Sequence, residues 1–296
     1  MKKIGLVGTG LMGAPMALNL LKGGFEVMVI NRTPAKCRRV AEAGGRVADS
    51  LSQLIRSSEV VVLVVDKDES VRQIVTAPGG VAESGSAGLI VIDSTTVHPH
   101  TSNQMCETLA AKDIAFLDAP VTGSRPQAEE GALTFLVGGD RAAYERCVPL
   151  FEAMGRRQFH LGGSGMGACA KVCNNLMGML HLAALSEGMS LAERYGLDRK
   201  DFFEVISQSG ARSAVVDGKG PKILADDFAP DFALKLAVKD VALARRLAED
   251  LGHDTPVLAA AASVYGEAAA SLGGEGDLCS LYNWYRRGGS SEQRSV

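Results

Sequence analysis

Apolar residues in the first half of the chain fall in short unbroken runs separated by amphipathic stretches. "KIGLVG" (3–8), "EVMVIN" (26–31), "EVVVLVV" (59–65) and "GLIVID" (88–93) read as strands, with a shorter one at 46–48. Between them, "LMGAPMALNLLKGG" (11–24) and segments near 34–43, 50–57 and 68–75 have helical spacing. Strands apolar on both faces, alternating with helices, predict a parallel sheet covered on both sides. Right-handed crossovers make such a sheet doubly wound. Past residue 163 the period changes. Residues 165–196 form one long helical stretch ending at a glycine, and 199–208, 232–252 and 255–272 are helical too. The expected organisation is a first domain over 1–163 and an all-α domain over 164–286. The long interdomain helix opens the second, and "RGGSSEQRSV" (287–296) reads as a disordered tail. No internal repeat is evident.

The length of 296 residues fits about two domains, with a core large enough to need no staples. The net charge of −3, without a basic run, argues against nucleic acid or a membrane surface as partner. Six scattered cysteines without a CxxC pair suit free thiols in a reducing cytoplasm. Cys169 and Cys173 stand four apart, but the five histidines add no ligand cluster, so no metal is expected. The basic and apolar start resembles a signal peptide, yet Gly5, Gly8, Gly10 and Gly13 interrupt it. No run approaches the ~20 apolar residues of a membrane span.

Those glycines carry chemistry. "GTGLMG" (Gly8, Thr9, Gly10, Leu11, Met12, Gly13) follows a predicted strand and opens a predicted helix. The first glycine allows the tight turn, the second admits a pyrophosphate and the third lets helix and strand pack closely. The helix N-terminus adds N–H donors and positive dipole. The fold class is therefore an α/β Rossmann-type doubly wound parallel sheet followed by an all-α C-terminal domain. The second strand ends in Asn31, Arg32 and Thr33 rather than in a carboxylate, which favours NADP(H) over NAD(H) because Arg32 can pair with a 2′-phosphate. Val64 and Val65, at the next strand end, should line the same crevice. Thr95 and Thr96 offer hydroxyls near the nicotinamide ribose, although a polar strand-to-helix turn has the same residues.

"DAPVTGS" (118–124) brings the hydroxyls and N–H groups of Thr122, Gly123 and Ser124 together, either as a nest for a carboxylate or as a plain turn. Lys171 and Asn175 lie four apart on the long helix, hence on one face. A partly desolvated lysine is a usable proton donor near neutral pH. Standing alone, a helix lysine is more often a snorkelling surface residue.

Four blocks in order, "GLVGTGLMGAPMALNLLKGG", "DAPVTGS", "GMGACAKVCNN" and "FALKLAVKDVALA", give the chain its resemblance to the β-hydroxyacid dehydrogenases, the group that includes 3-hydroxyisobutyrate dehydrogenase, tartronate semialdehyde reductase and glyoxylate/succinic semialdehyde reductase. The resemblance runs from residue 3 to about 285. It implies that Lys171 is the catalytic acid/base, that Thr122, Gly123, Asn175 and Phe232 contact substrate, and that Thr96 and Lys239 contact the cofactor. Asp240 would help fix the site near Lys171. "NRTPAKC", "MGRRQFHLG" and "GKGPKIL" look most similar to the NADPH-dependent glyoxylate/succinic semialdehyde reductases, whereas Thr122 and "GSRPQAEEGALTF" follow other branches. The expectation is a cytoplasmic reductase of small carboxylate-bearing aldehydes to hydroxy acids, assembled as a homodimer or homotetramer. A 3-hydroxyisobutyrate or tartronate semialdehyde type is the alternative. A non-catalytic dinucleotide-binding module would be expected to have lost the lysine.

Overall fold

A computed structural model describes residues 1–289. It divides into two compact units, Met1–Val172 and the residues from Cys173 onward. Apart from its first three residues, the expected tail over 287–296 lies outside the described residues.

The first unit is built on β1 (Lys3–Val7), β2 (Glu26–Ile30), β3 (Arg46–Val47), β4 (Val60–Leu63), β5 (Ile90–Asp93), β6 (Ala115–Asp118), β7 (Val121–Thr122), β8 (Leu133–Gly139) and β9 (Gly155–His160). They run in the order β3-β2-β1-β4-β5-β6-β8-β7, with β9 on β8. Neighbours from β3 to β6 are parallel. β8 then runs antiparallel to both β6 and β7. The link between β7 and β8 carries only the five-residue helix Arg125–Glu129. That falls short of the dozen or more residues a parallel crossover takes.

Pleating sends alternate residues of each buried strand to opposite faces. Val60 and Val62 of β4 join Met16, Ala17 and Leu20 from the helix Gly13–Lys22 on one face. Val61 and Leu63 join Leu54, Val71 and Val75 on the other. All four β4 residues are buried, which is why the run reads as apolar throughout rather than alternating.

The long helix spans Met166–Tyr195 and closes at Gly196, whose φ of +104° an L side chain rarely adopts. In the second unit the helices Arg199–Ser207, Leu234–Asp250 and Pro256–Leu272 follow the predicted segments. The fully buried Tyr265 donates its hydroxyl to the Met179 carbonyl at 2.9 Å, tying the last of these to the long helix. Two further helices, Ala214–Leu224 and Leu281–Arg286, have no counterpart in the sequence pattern. Gly218, Gly220 and Pro221 hide the first. Ser213 nonetheless caps it by accepting from the Val216 N–H, and a Cβ at Gly220 would run into the Phe203 ring.

Candidate active site

The glycine-rich loop connects β1 to the helix Gly13–Lys22. Gly8 has a φ of +100°, donates its N–H to the Ile30 carbonyl at 2.9 Å, and leaves no room for a Cβ against the Val64 carbonyl. A Cβ on Gly13 would strike the Gly8 carbonyl. One on Gly10 would meet nothing within 4 Å. The first and last glycines thus serve packing, and the middle one leaves a cradle over the loop. No side chain caps the helix that follows; Ala14 N–H donates to the Gly10 carbonyl at 3.1 Å and Pro15 has none, so the donors that face an anion are those of the loop up to Gly13. These features fit a dinucleotide pyrophosphate.

The other dinucleotide candidates divide into struts and exposed groups. Asn31 is a strut: its Oδ1 accepts the Thr9 N–H at 3.1 Å, and its Nδ2 donates to the Thr33 carbonyl at 3.0 Å. Arg32, Thr33 and Leu11 are exposed, Leu11 to 65 %. Val64, Val65 and Thr96 are half-buried. Thr95, buried, accepts the Val65 N–H at 3.2 Å and holds the end of β4 in place.

Two carboxylates close the adjacent strand ends. Asp93 of β5 and Asp118 of β6 are register partners, each 1 % exposed. Burial pushes the Asp93 carboxyl up to about 7, against the Thr95 hydrogen bonds, and the charges of Asp118 and Asp68 add to the rise. Burial also raises Asp118, opposed by N–H donors from the start of the long helix. Gly165 N–H donates to Asp118 Oδ1 and Ala168 N–H to Oδ2, both at 2.8 Å. A Cβ on Gly167 would collide with β8 and with the Asp118 carbonyl. Asp118 thus anchors the helix start beyond the carboxyl end of the sheet, where ligands of such folds bind. Lys171, half-buried, follows within one turn of Ala168.

In the "DAPVTGS" segment, Thr122 lies in β7 and Gly123 has a φ of +123°. Ser124 is drawn into a helix cap instead: its N–H and hydroxyl both donate to Gln127 Oε1, at 2.9 and 2.6 Å. Of the three residues of the expected carboxylate nest, Ser124 is thus committed to its own helix. In the second unit, Asn175 Nδ2 donates to Asp240 Oδ2 at 2.7 Å. Lys239 Nζ lies 3.5 Å from Asp240 Oδ1, an ion pair too long for a strong hydrogen bond. Asp240 is buried and Phe232 half-buried.

Residues 3–163, more than half of the chain, match the family described as the NAD binding domain of 6-phosphogluconate dehydrogenase. Residues 165–285 match the NAD-binding domain of NADP-dependent 3-hydroxyisobutyrate dehydrogenase. The Arabidopsis thaliana glyoxylate/succinic semialdehyde reductase 1 is 36% identical over 93% of this chain and 95% of its own. The chain belongs to the β-hydroxyacid dehydrogenase family. Another relative, the human cytokine-like nuclear factor N-PAC, is 33% identical over 96% of this chain. The chain spans about half the length of that relative, 51%. Among solved structures, a Mycobacterium tuberculosis 3-hydroxyisobutyrate dehydrogenase with L-serine superposes with a TM-score of 0.89 at 28% identity, covering 97% of this chain and all of the other.

Within this member of the family, sequence reasoning gave no role to Asp93 or Asp118. The signal was present: "IVID" and "AFLD" each close an apolar run with an aspartate at the carboxyl end of a strand. Among the described residues no group of three histidine, cysteine or acidic side chains is placed to hold a metal ion. No described helix is long and apolar enough to cross a membrane.

Proposed function

We propose that this chain is an NADPH-dependent reductase of small aldehyde acids, of the glyoxylate/succinic semialdehyde type, with Lys171 as general acid/base. The observation that carries the reading is the anchoring of the Lys171 helix by Asp118, in the same unit as the dinucleotide loop and at the carboxyl edge of its sheet. Gly8, Gly10 and Gly13 would hold the pyrophosphate, and Arg32 would pair with the 2′-phosphate. When bound, the dihydronicotinamide supplies a hydride to the carbonyl carbon.

Alkoxide charge then develops on the carbonyl oxygen. The Lys171 ammonium stabilises it and delivers the proton, so one hydride and one proton convert aldehyde to alcohol. Thr122 and Gly123 donate to the substrate carboxylate in this reading. The family roles of Asn175, Phe232, Asp240 and Lys239, and of Thr96 toward the cofactor, belong to the same proposal. So does a homo-oligomer, supported by Met177, Leu191 and Tyr195, which leave apolar surface 59, 70 and 93 % exposed along one helix.

NADPH oxidation measured against glyoxylate, succinic semialdehyde, tartronate semialdehyde and methylmalonate semialdehyde tests the reading, with NADH in parallel. Turnover of at least one aldehyde acid with NADPH preferred supports it. Preference for NADH by about tenfold, ~1.4 kcal/mol, removes the Arg32 argument. Dinucleotide binding without turnover of any of them would instead favour a non-catalytic binding module.

A further inference from the structure

"GKGPKIL" carries two lysines, Lys219 and Lys222, to which the proposed chemistry gives no task. Both lie on the helix Ala214–Leu224 and are only 16% exposed in their side chains. Lys219 Nζ donates to Asp277 Oδ2 at 2.9 Å. Asp277 is fully buried, and its carboxylate is filled by other donors. Oδ2 also accepts the N–H groups of Asp231 at 2.9 Å and Phe232 at 3.2 Å. Oδ1 accepts the Cys279 N–H at 3.0 Å.

A buried carboxylate is costly unless it is both paired and hydrogen-bonded, and here it is both. The backbone around it completes a clamp. Phe232 receives the Leu278 N–H at its carbonyl, 2.8 Å, while the Asp277 N–H donates to the Phe228 carbonyl at 2.9 Å. Leu234 N–H donates to the Gly276 carbonyl at 2.8 Å, just where the helix Leu234–Asp250 begins. Lys222 supports the outer side, reaching Asp227 at 3.3 Å, Asp231 at 3.2 Å and the Ala229 carbonyl at 2.8 Å. Both main-chain polar groups of Phe232 are therefore committed to the 277–278 segment. Among the described residues the charged link from that segment to the neighbouring helix is the Lys219–Asp277 pair, and Lys219 Nζ also lies 3.6 Å from Asp231 Oδ2.

We infer that Lys219 and Asp277 are positioning residues: together they fix the backbone of Phe232, and so set the apparent affinity for the aldehyde acid rather than the rate of the chemical step. The inference rests on the proposed function for the role of Phe232. The test uses the full chain with Lys219→Met and Asp277→Asn, singly and together. KM for the best aldehyde acid should rise about five- to twentyfold in each single variant, with kcat within about twofold. The double variant should fall short of the product of the two single effects, since the Lys219–Asp277 contact is common to both, while Lys219 Nζ also lies 3.6 Å from Asp231 Oδ2 and Asp277 also accepts main-chain amides. Hydrogen exchange at the Asp231 and Phe232 amides should accelerate at least about tenfold in Lys219→Met, with the helix Pro256–Leu272 still protected.

Unchanged exchange at 231–232 overturns the inference. So does faster exchange with KM intact, because the pair is then only structural. If Asp277→Asn does not fold, Lys219→Met, on the less buried partner, carries the test. A wild-type chain that reduces no aldehyde acid would sink the proposed function. The exchange measurement would still decide whether the pair holds Phe232.

Discussion

Replacing Asp93 by asparagine should stabilise this protein, and increasingly so as the pH rises. Asp93 is 1 % exposed, sits in register beside Asp118, and leaves Oδ2 buried without a hydrogen-bond partner. Its carboxyl is raised from an ordinary 3.8 to about 7, chiefly by burial. The sign follows from proton counting. Between about pH 4 and pH 7 this carboxyl retains a proton in the folded chain that the unfolded chain has lost, so its contribution to wild-type stability falls across that window. At ~1.36 kcal/mol per pKa unit, three units amount to about 4 kcal/mol of lost stability above pH 7. Asparagine does not titrate, keeps Oδ1 to accept from the Thr95 N–H as now at 3.0 Å, and replaces the unpartnered Oδ2 by Nδ2 on the residue in register with Asp118. Desolvation of the new amide offsets part of the gain, leaving about 2–3 kcal/mol at pH 8. Urea unfolding of wild type and Asp93→Asn at half-unit steps from pH 5 to pH 8.5 measures it. The gap between the two should widen by about 2–3 kcal/mol from pH 5 to pH 8 and then level off. Two parallel stability profiles would refute the reasoning, and so would a gap that narrows as the pH rises.

Lys171→Ala should lower kcat by at least ~10²-fold while NADPH still binds by fluorescence titration; near-wild-type turnover removes the proton-donor role. Asp118→Asn sets an amide NH2 against one of the two N–H donors it now accepts, at Gly165 or Ala168. It should cost about 1–3 kcal/mol in urea unfolding and lower kcat, and an unchanged kcat would separate Asp118 from the placement of Lys171. The glycine loop separates by readout. Gly13→Ala collides with the Gly8 carbonyl and should lower the melting temperature of the cofactor-free chain, whereas Gly10→Ala projects into open space and should weaken NADPH binding with that temperature held.

What could be read in advance depended on whether the signal was local. The βαβ start was legible because the strand, the glycine turn and the helix all lie within residues 3–22, and each glycine's duty is set by its immediate neighbours. The long helix was equally plain, its end marked by Gly196. The helix Ala214–Leu224 was not, because glycine and proline have poor local propensity, and it is held by a tertiary fit of Gly220 against Phe203 that no window of sequence contains. The same contrast governs the site. Lys171 and Asn175 could be paired from helical spacing alone. The Asp118 carboxylate meets the Gly165 and Ala168 amides 47 and 50 residues away, and Asp277 meets Lys219 across 58. Those partners become visible only once the sheet order and the helix packing exist. A buried aspartate at the end of an apolar run is the trace such pairings leave in one dimension: the cost of burying its charge requires donors from elsewhere in the chain. Asp93 and Asp118 are two such aspartates, ending β5 and β6, and Asp118 draws its donors from residues 165 and 168; Asp277 follows Gly273-Gly274-Glu275-Gly276 and leaves no such trace. Asp118 holds the main chain one turn before Lys171 and Asp277 that of Phe232 itself, two residues to which the proposed function gives a role.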